Sequence, residues 1–203
     1  MTHTLHRGDL PDGVCLGPVV AVDTEAMGLN PHRDRLCLVQ LSAGDGDAHL
    51  VQFAPGGYAA PRLKRLLAAP DVTKLFHYAR FDLAMLYRYL GVMAEPVYCT
   101  KIASRLARTF TDRHGLRDLC KDLLSIDLSK QQQSSDWGAS SLSEEQLRYA
   151  ASDVLHLHAL RNRLDAILAR EARAELARAC FEFLPHRVLL DLKGWSEQDI
   201  FAH

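Results

Sequence analysis

Val19-Val20-Ala21-Val22-Asp23-Thr24-Glu25 decides the fold. A short β-branched run reads as a buried strand, and this one ends in two acids. Asp23 and Glu25 stand i,i+2, so on a strand their carboxylates share one face. Working outward, Asn30-Pro31 punctuates before a second strand, Arg35-Leu36-Cys37-Leu38-Val39-Gln40-Leu41. Gly44-Asp45-Gly46 marks the next turn, and residues 48–53 make a third strand that completes an antiparallel meander. Residues 61–69 have helical spacing, 73–77 return as a strand, and 81–90 are helical with Gly91 as the stop. Residues 97–100 form a short last strand. Helices are expected over 101–107 and 116–124, and in a long run from Ser143, where Ser143-Glu144-Glu145-Gln146 has the form of a capping box. Strands interleaved with helices, followed by a helical C-terminal third, indicate an α/β mixed sheet with flanking helices. The reading is one domain over 1–203, with a core at about 19–164 and a helical extension at about 165–203. No internal repeat is visible.

Composition narrows the function. At 203 residues, 48% hydrophobic and 24% charged, the chain is an ordinary globular protein with length for a sizeable core. No stretch is apolar for long enough to cross a bilayer, and residues 1–13 lack a secretory-signal pattern, so a cytoplasmic protein without a membrane partner is expected. Cys15, Cys37, Cys99, Cys120 and Cys180 are odd in number and form no CxxC pair, which points to free thiols in a reducing compartment. His156 and His158 are the densest histidine pair, but at i,i+2 on a helix their rings diverge, which argues against zinc. Net charge is -1, so the chain lacks the overall basic bias of proteins that track long nucleic acids. Basic residues cluster only locally, at Arg105, Arg108, Arg113 and His114 and along Arg161 to Arg178.

The acids carry the chemistry. Asp82 falls in the first turn of its expected helix, where negative charge is favoured. Tyr149 and Asp153, within Leu147-Arg148-Tyr149-Ala150-Ala151-Ser152-Asp153-Val154, are i,i+4 and share a helix face. Four carboxylates held together are costly unless cations neutralise them. An all-oxygen set suits Mg2+ or Mn2+, and a pair of such ions is the usual apparatus of in-line phosphoryl transfer. The residues therefore read as a metal-dependent nuclease.

Three ordered segments carry a resemblance: Asp23-Thr24-Glu25, His77-Tyr78-Ala79-Arg80-Phe81-Asp82 and Tyr149-Ala150-Ala151-Ser152-Asp153. They resemble the exonuclease motifs of the DEDDy branch of the DnaQ-like 3′–5′ exonucleases, on the ribonuclease H-like fold, and within it the ribonuclease D group. Ser134-Ser135-Asp136-Trp137 is similar to that group as well. A narrower resemblance, to the NanoRNase C group, lies in His6 to Pro11, Gly28 to Leu36 and Asp199 to His203. It implies degradation of very short RNAs, especially diribonucleotides, to nucleoside 5′-monophosphates, and a ring-like homo-oligomer. The resemblance implies Asp23, Glu25, Asp82 and Asp153 as ligands of two ions, Mg2+ or Mn2+, per site, with Tyr149 orienting the attacking water. It makes Leu29 a wedge between terminal bases, where residue chemistry alone allows a core-closing leucine equally. Thr24, Met27 and Gly28 belong to the same substrate-contacting stretch. His77 and Phe81 are candidates to flank the terminal nucleotide by hydrogen bonding and stacking, a strand-end histidine with a backbone partner being the equal reading of His77. Gln133, Ser135 and Trp137 are candidates for the 5′ side.

The chain also departs from ribonuclease D. A second C-terminal domain is expected to be missing, and Gly138-Ala139-Ser140-Ser141-Leu142 replaces an Arg-Pro after the tryptophan. A general 3′–5′ exonuclease on longer RNA or DNA is the enzymatic alternative; a metal-free nucleic-acid-binding module is the alternative of another class. The apolar segments Phe181 to Pro185 and Val188 to Trp195, with the tail Ile200 to His203, are expected to carry an assembly surface, self-packing being the other reading.

Overall fold

The structure, a computed structural model, describes residues 2–129, 132 and 134–202. Its strands are β1 (Thr2–Arg7), β2 (Val19–Ala26), β3 (Leu36–Ser42), β4 (Asp47–Gln52), β5 (Thr73–Phe76) and β6 (Val97–Cys99). They form one sheet in the order β1-β4-β3-β2-β5-β6. The antiparallel meander β2-β3-β4 is as expected, and β5 and β6 extend it in parallel on the other side of β2. Helix α1 (Pro61–Ala68) precedes β5, and α2 (Ala79–Leu90) links β5 to β6. The acid-bearing strand β2 is therefore central, with partners on both edges. Every residue of β3 beside it is buried.

Strand β1 is an addition to the sequence reading, which began the sheet at Val19. It pairs in parallel with β4 from Thr2↔Asp47 to Arg7↔Gln52. Thr2, His3, Thr4, His6 and Arg7 lack an apolar alternation because an edge strand buries little. Side-chain pairs hold it instead: the His6 and His49 rings stack at 5.3 Å, and Arg7 donates to Gln52 and, at 2.9 Å, to the Ser140 carbonyl.

The helical part follows, as α3 (Thr100–Ala107), α4 (Leu116–Leu119), α5 (Glu144–Leu155), α6 (Leu157–Arg170) and α7 (Ala174–Leu190). The expected helix over 116–124 is α4 continued by a π-helical turn at Cys120–Leu124. The capping box at Ser143 is present with both of its hydrogen bonds. The long run beyond it is broken twice, at His156 and again around Ala172, which takes a left-handed φ of 54°. Helix α5 lies across β2, β3 and β4, while α7 packs on α2 and β6.

The C-terminal third divides differently from the expectation. Phe181, Leu184, Pro185 and Val188 are buried on their own chain, with Phe181 against the Tyr98 ring at 4.6 Å. Phe183, Trp195, Ile200 and Phe201 stay exposed. Arg80 in α2 clamps the segment after α7: it holds Asp191 at 2.7 Å and the Ser196 carbonyl at 2.9 Å, and Arg187 grips the same two groups. Among the described residues no helix is long and apolar enough to cross a membrane.

Candidate active site

Three chain segments converge where β2 meets α5. Asp23 and Glu25 lie on one face of β2, as alternation requires, and α5 brings Asp153 to them. Carboxylate oxygens of these three residues all lie within 4.8 Å of one another. Thr24 points to the opposite face, where its hydroxyl donates to Asp82 Oδ1 at 2.7 Å. Asp82 is 3% exposed on the first turn of α2, so this buried bond fixes the fourth acid beside the cluster. Helix α2 begins at Ala79, two residues earlier than expected, because Tyr78 takes a left-handed conformation (φ 69°) and turns the chain out of β5.

Burial and mutual repulsion set the electrostatics of the cluster. Burial pushes the Asp23 carboxyl up from the ordinary range, with the Thr24 backbone N–H opposing. Glu25 is pushed up by burial and then by Asp23, Asp153 and Asp82. Asp82 and Asp153 are raised by burial and by Asp23. An all-carboxylate donor set whose members repel one another fits hard divalent cations. Tyr149 shares a hydrogen bond with Asp153, and burial together with Asp153, Glu25 and Asp23 pushes its phenol up, so it keeps its proton at neutral pH.

A cavity of about 360 Å³ opens over these acids, lined by Asp23, Thr24, Glu25, Leu29, His77, Phe81, Tyr149 and Asp153. Leu29 is 85% exposed, which removes the reading of it as a core-closing leucine. Its loop is stiff: Asp34 accepts from the Asn30 N–H at 3.0 Å, and Tyr89 donates to the Asp34 carbonyl at 3.0 Å. Gly28 is required there, since a Cβ would stand 2.3 Å from the Asp34 carboxylate. Met27 is half exposed, and Gly138 passes so close that a Cβ on it would meet Met27 Sδ at 2.2 Å.

His77 has a determined role in hydrogen bonding. Thr100 Oγ1 spends its only proton on the Phe76 carbonyl, so it accepts from His77 Nδ1 at 2.9 Å. Nε2 is thereby the acceptor. Burial, helped by Lys101, pushes the imidazole down to about 3, so it is neutral. Of the 5′-side candidates, Ser135 and Trp137 stand apart from the cavity lining. Trp137 is 3% exposed and packs on the Tyr149 ring at 6.1 Å, supporting the phenol instead of offering a face to solvent. Ser135 Oγ donates to Gln132 at 2.6 Å, and Gln133 lies outside the described residues.

Sequence reasoning passed over Gln40, Tyr78, Lys101 and Arg117. The last three line the cavity, with Lys101 4.0 Å over the Tyr78 ring. Only Tyr78 had a signal, as part of the second motif. His158, weighed for zinc, instead meets the Val19 carbonyl through Nε2 at 3.0 Å.

A family model described as 3′–5′ exonuclease matches residues 14–169. The structure of Brucella melitensis NrnC bound to pGG is 55% identical at a TM-score of 0.97, covering 100% of this chain and 99% of that one. Brucella melitensis NrnC with bound Mg2+ is 54% identical at a TM-score of 0.96, with full coverage of both chains. Ribonuclease D of Gluconacetobacter diazotrophicus is 37% identical over 158 residues, 78% of this chain. The chain spans only 40% of the length of that relative.

Proposed function

The chain belongs to the DEDD-type 3′–5′ exonucleases, in the ribonuclease D and NrnC group, and from that membership we propose that it hydrolyses diribonucleotides to nucleoside 5′-monophosphates. The observation that carries the chemistry is the Asp23, Glu25 and Asp153 cluster, with Asp82 fixed beside it. Those residues would hold two divalent ions, Mg2+ or Mn2+. Bound there, the ions supply Lewis acidity toward the attacking water and the departing 3′ oxygen. The likeness to an NrnC with bound Mg2+ supports this.

The chain's own groups do the rest. Tyr149, protonated and set by Trp137 and Asp153, orients the water whose oxygen attacks phosphorus. The P–O3′ bond breaks, the 3′ oxygen takes a proton, and a nucleoside 5′-monophosphate is released. His77 Nε2, neutral and accepting, suits a ribose hydroxyl of the terminal nucleotide. Leu29, exposed over the cavity beside Phe81, wedges between the two bases.

Short substrates follow from several observations together. Net charge is -1, the cavity is small, and the chain is similar over its whole length to an NrnC bound to pGG. The test is the specificity constant for a 5′-phosphorylated diribonucleotide against a heptanucleotide of related sequence. Preference for the dinucleotide is expected, with a shallow dependence on salt because few phosphates are engaged. Equal or better use of the heptamer leaves only the general exonuclease. We also propose a cytoplasmic enzyme, in keeping with its five free cysteines, and a ring-like homo-oligomer that covers Phe183 and Phe201. A monomeric mass in light scattering at micromolar concentration rejects the assembly.

A further inference from the structure

Gln40 stands directly opposite Asp23 in the β2–β3 register, fully buried in the most apolar strand of the sheet. Its Nε2 donates to Asp23 Oδ2 at 3.2 Å. Its Oε1 meets no partner among the described residues. The neighbours Leu38, Val39 and Leu41 show what packing alone asks of this strand. Its other buried polar residue, Ser42, is satisfied, donating to the Asp47 carbonyl and accepting from the Gly44 N–H. A buried amide left half unpaired lowers stability and calls for a compensating role. The amide's orientation is chemically determined: turned over, Oε1 would face a carboxylate oxygen, acceptor against acceptor, so Nε2 faces Asp23 whenever Asp23 is ionised.

We propose that Gln40 is a positioning residue for the metal site. It pins one oxygen of Asp23 and sets the plane of that carboxylate, while its unpaired Oε1 accepts from water that enters with a cation. The inference rests on the metal reading of the cluster. Groups behind a metal ligand commonly shift affinity by about 10–100-fold when removed.

The test is direct Mn2+ binding without substrate, read from the free-ion electron paramagnetic resonance signal, for wild type, Gln40→Met and Gln40→Asn. Methionine keeps the bulk without a donor; asparagine keeps the amide but falls a methylene short. Mn2+ affinity is expected to drop about 10–100-fold in both. The KM for dinucleotide should stay near wild type, and kcat should recover largely at saturating Mn2+. In metal-free buffer Gln40→Met should melt at or above the wild-type temperature, because the orphaned acceptor is gone. A merely structural glutamine would lower the melting temperature and leave Mn2+ affinity unmoved. Affinity within twofold of wild type in whichever variant folds overturns the proposal. Absence of Mn2+ binding by wild type overturns the metal reading itself and this inference with it.

Discussion

Thr24→Val isolates one atom of the site. The hydroxyl is replaced by a methyl of nearly the same shape, and the 2.7 Å bond to Asp82 disappears between residues that are 5% and 3% exposed. A hydrogen bond to a charged group contributes ~1.5–3 kcal/mol. In metal-free buffer the loss is smaller, because Asp82 is already pushed up by burial and by Asp23 and can answer by holding a proton. We expect a cost of about 1–2 kcal/mol there, or about 2–8 °C in Tm for a chain of this size. Metal loading demands the ionised acid, so the full ~1.5–3 kcal/mol falls on that state, a factor of about 10–150 in metal-dependent turnover at limiting metal. Differential scanning fluorimetry in EDTA and in Mg2+, beside dinucleotide hydrolysis across a Mg2+ titration, measures both. A Tm within 1 °C of wild type (~1 °C being well under the expected shift) together with unchanged turnover would refute the reasoning that Asp82 is held by Thr24.

Asp153→Asn should nearly abolish hydrolysis while raising the metal-free Tm, since it relieves repulsion from Asp23 and Glu25; equal turnover under saturating Mg2+ ends the metal reading. Tyr149→Phe should slow turnover by about 10²–10⁴-fold with metal binding intact, and an unchanged rate removes the phenol from the mechanism. Wild type without metal should lose stability as pH rises from the ordinary carboxylate range near ~4. Its raised acids keep protons that the unfolded chain has released, so the folded state binds more protons and the slope is negative. Thermal melts across pH should show this fall, largely erased by Mg2+ at pH ~8, and a Mg2+-insensitive profile contradicts it.

What could be read from the chain depended on how each contact is encoded. β2 and β3 are buried apolar runs, so period and composition expose them, and i,i+2 and i,i+4 spacing places Asp23, Glu25, Tyr149 and Asp153 on the correct faces. β1 escaped because Thr2 to Arg7 is half-buried at an edge and held by side-chain pairs that composition does not announce. The Thr24 to Asp82 bond escaped because it joins the far face of β2 to a residue 58 positions away. Trp137 reads as a 5′-side contact in a polar stretch, yet it is buried against the ring of Tyr149. The left-handed turn at Tyr78 has no glycine to mark it.

The Arg80 clamp bears on where a catalytic unit can be cut. The family match stops at residue 169, yet Arg80, within the second motif, holds Asp191 and the Ser196 carbonyl. A fragment trimmed to the matched region would lose the carboxylate partner of that guanidinium and strip α7 from α2 and β6, baring Tyr98 where Phe181 had covered it. Motif boundaries and folding boundaries therefore diverge in this protein. An expression fragment designed on the former is expected to reach the lysate as aggregate, and one extended through Ser196 as soluble protein.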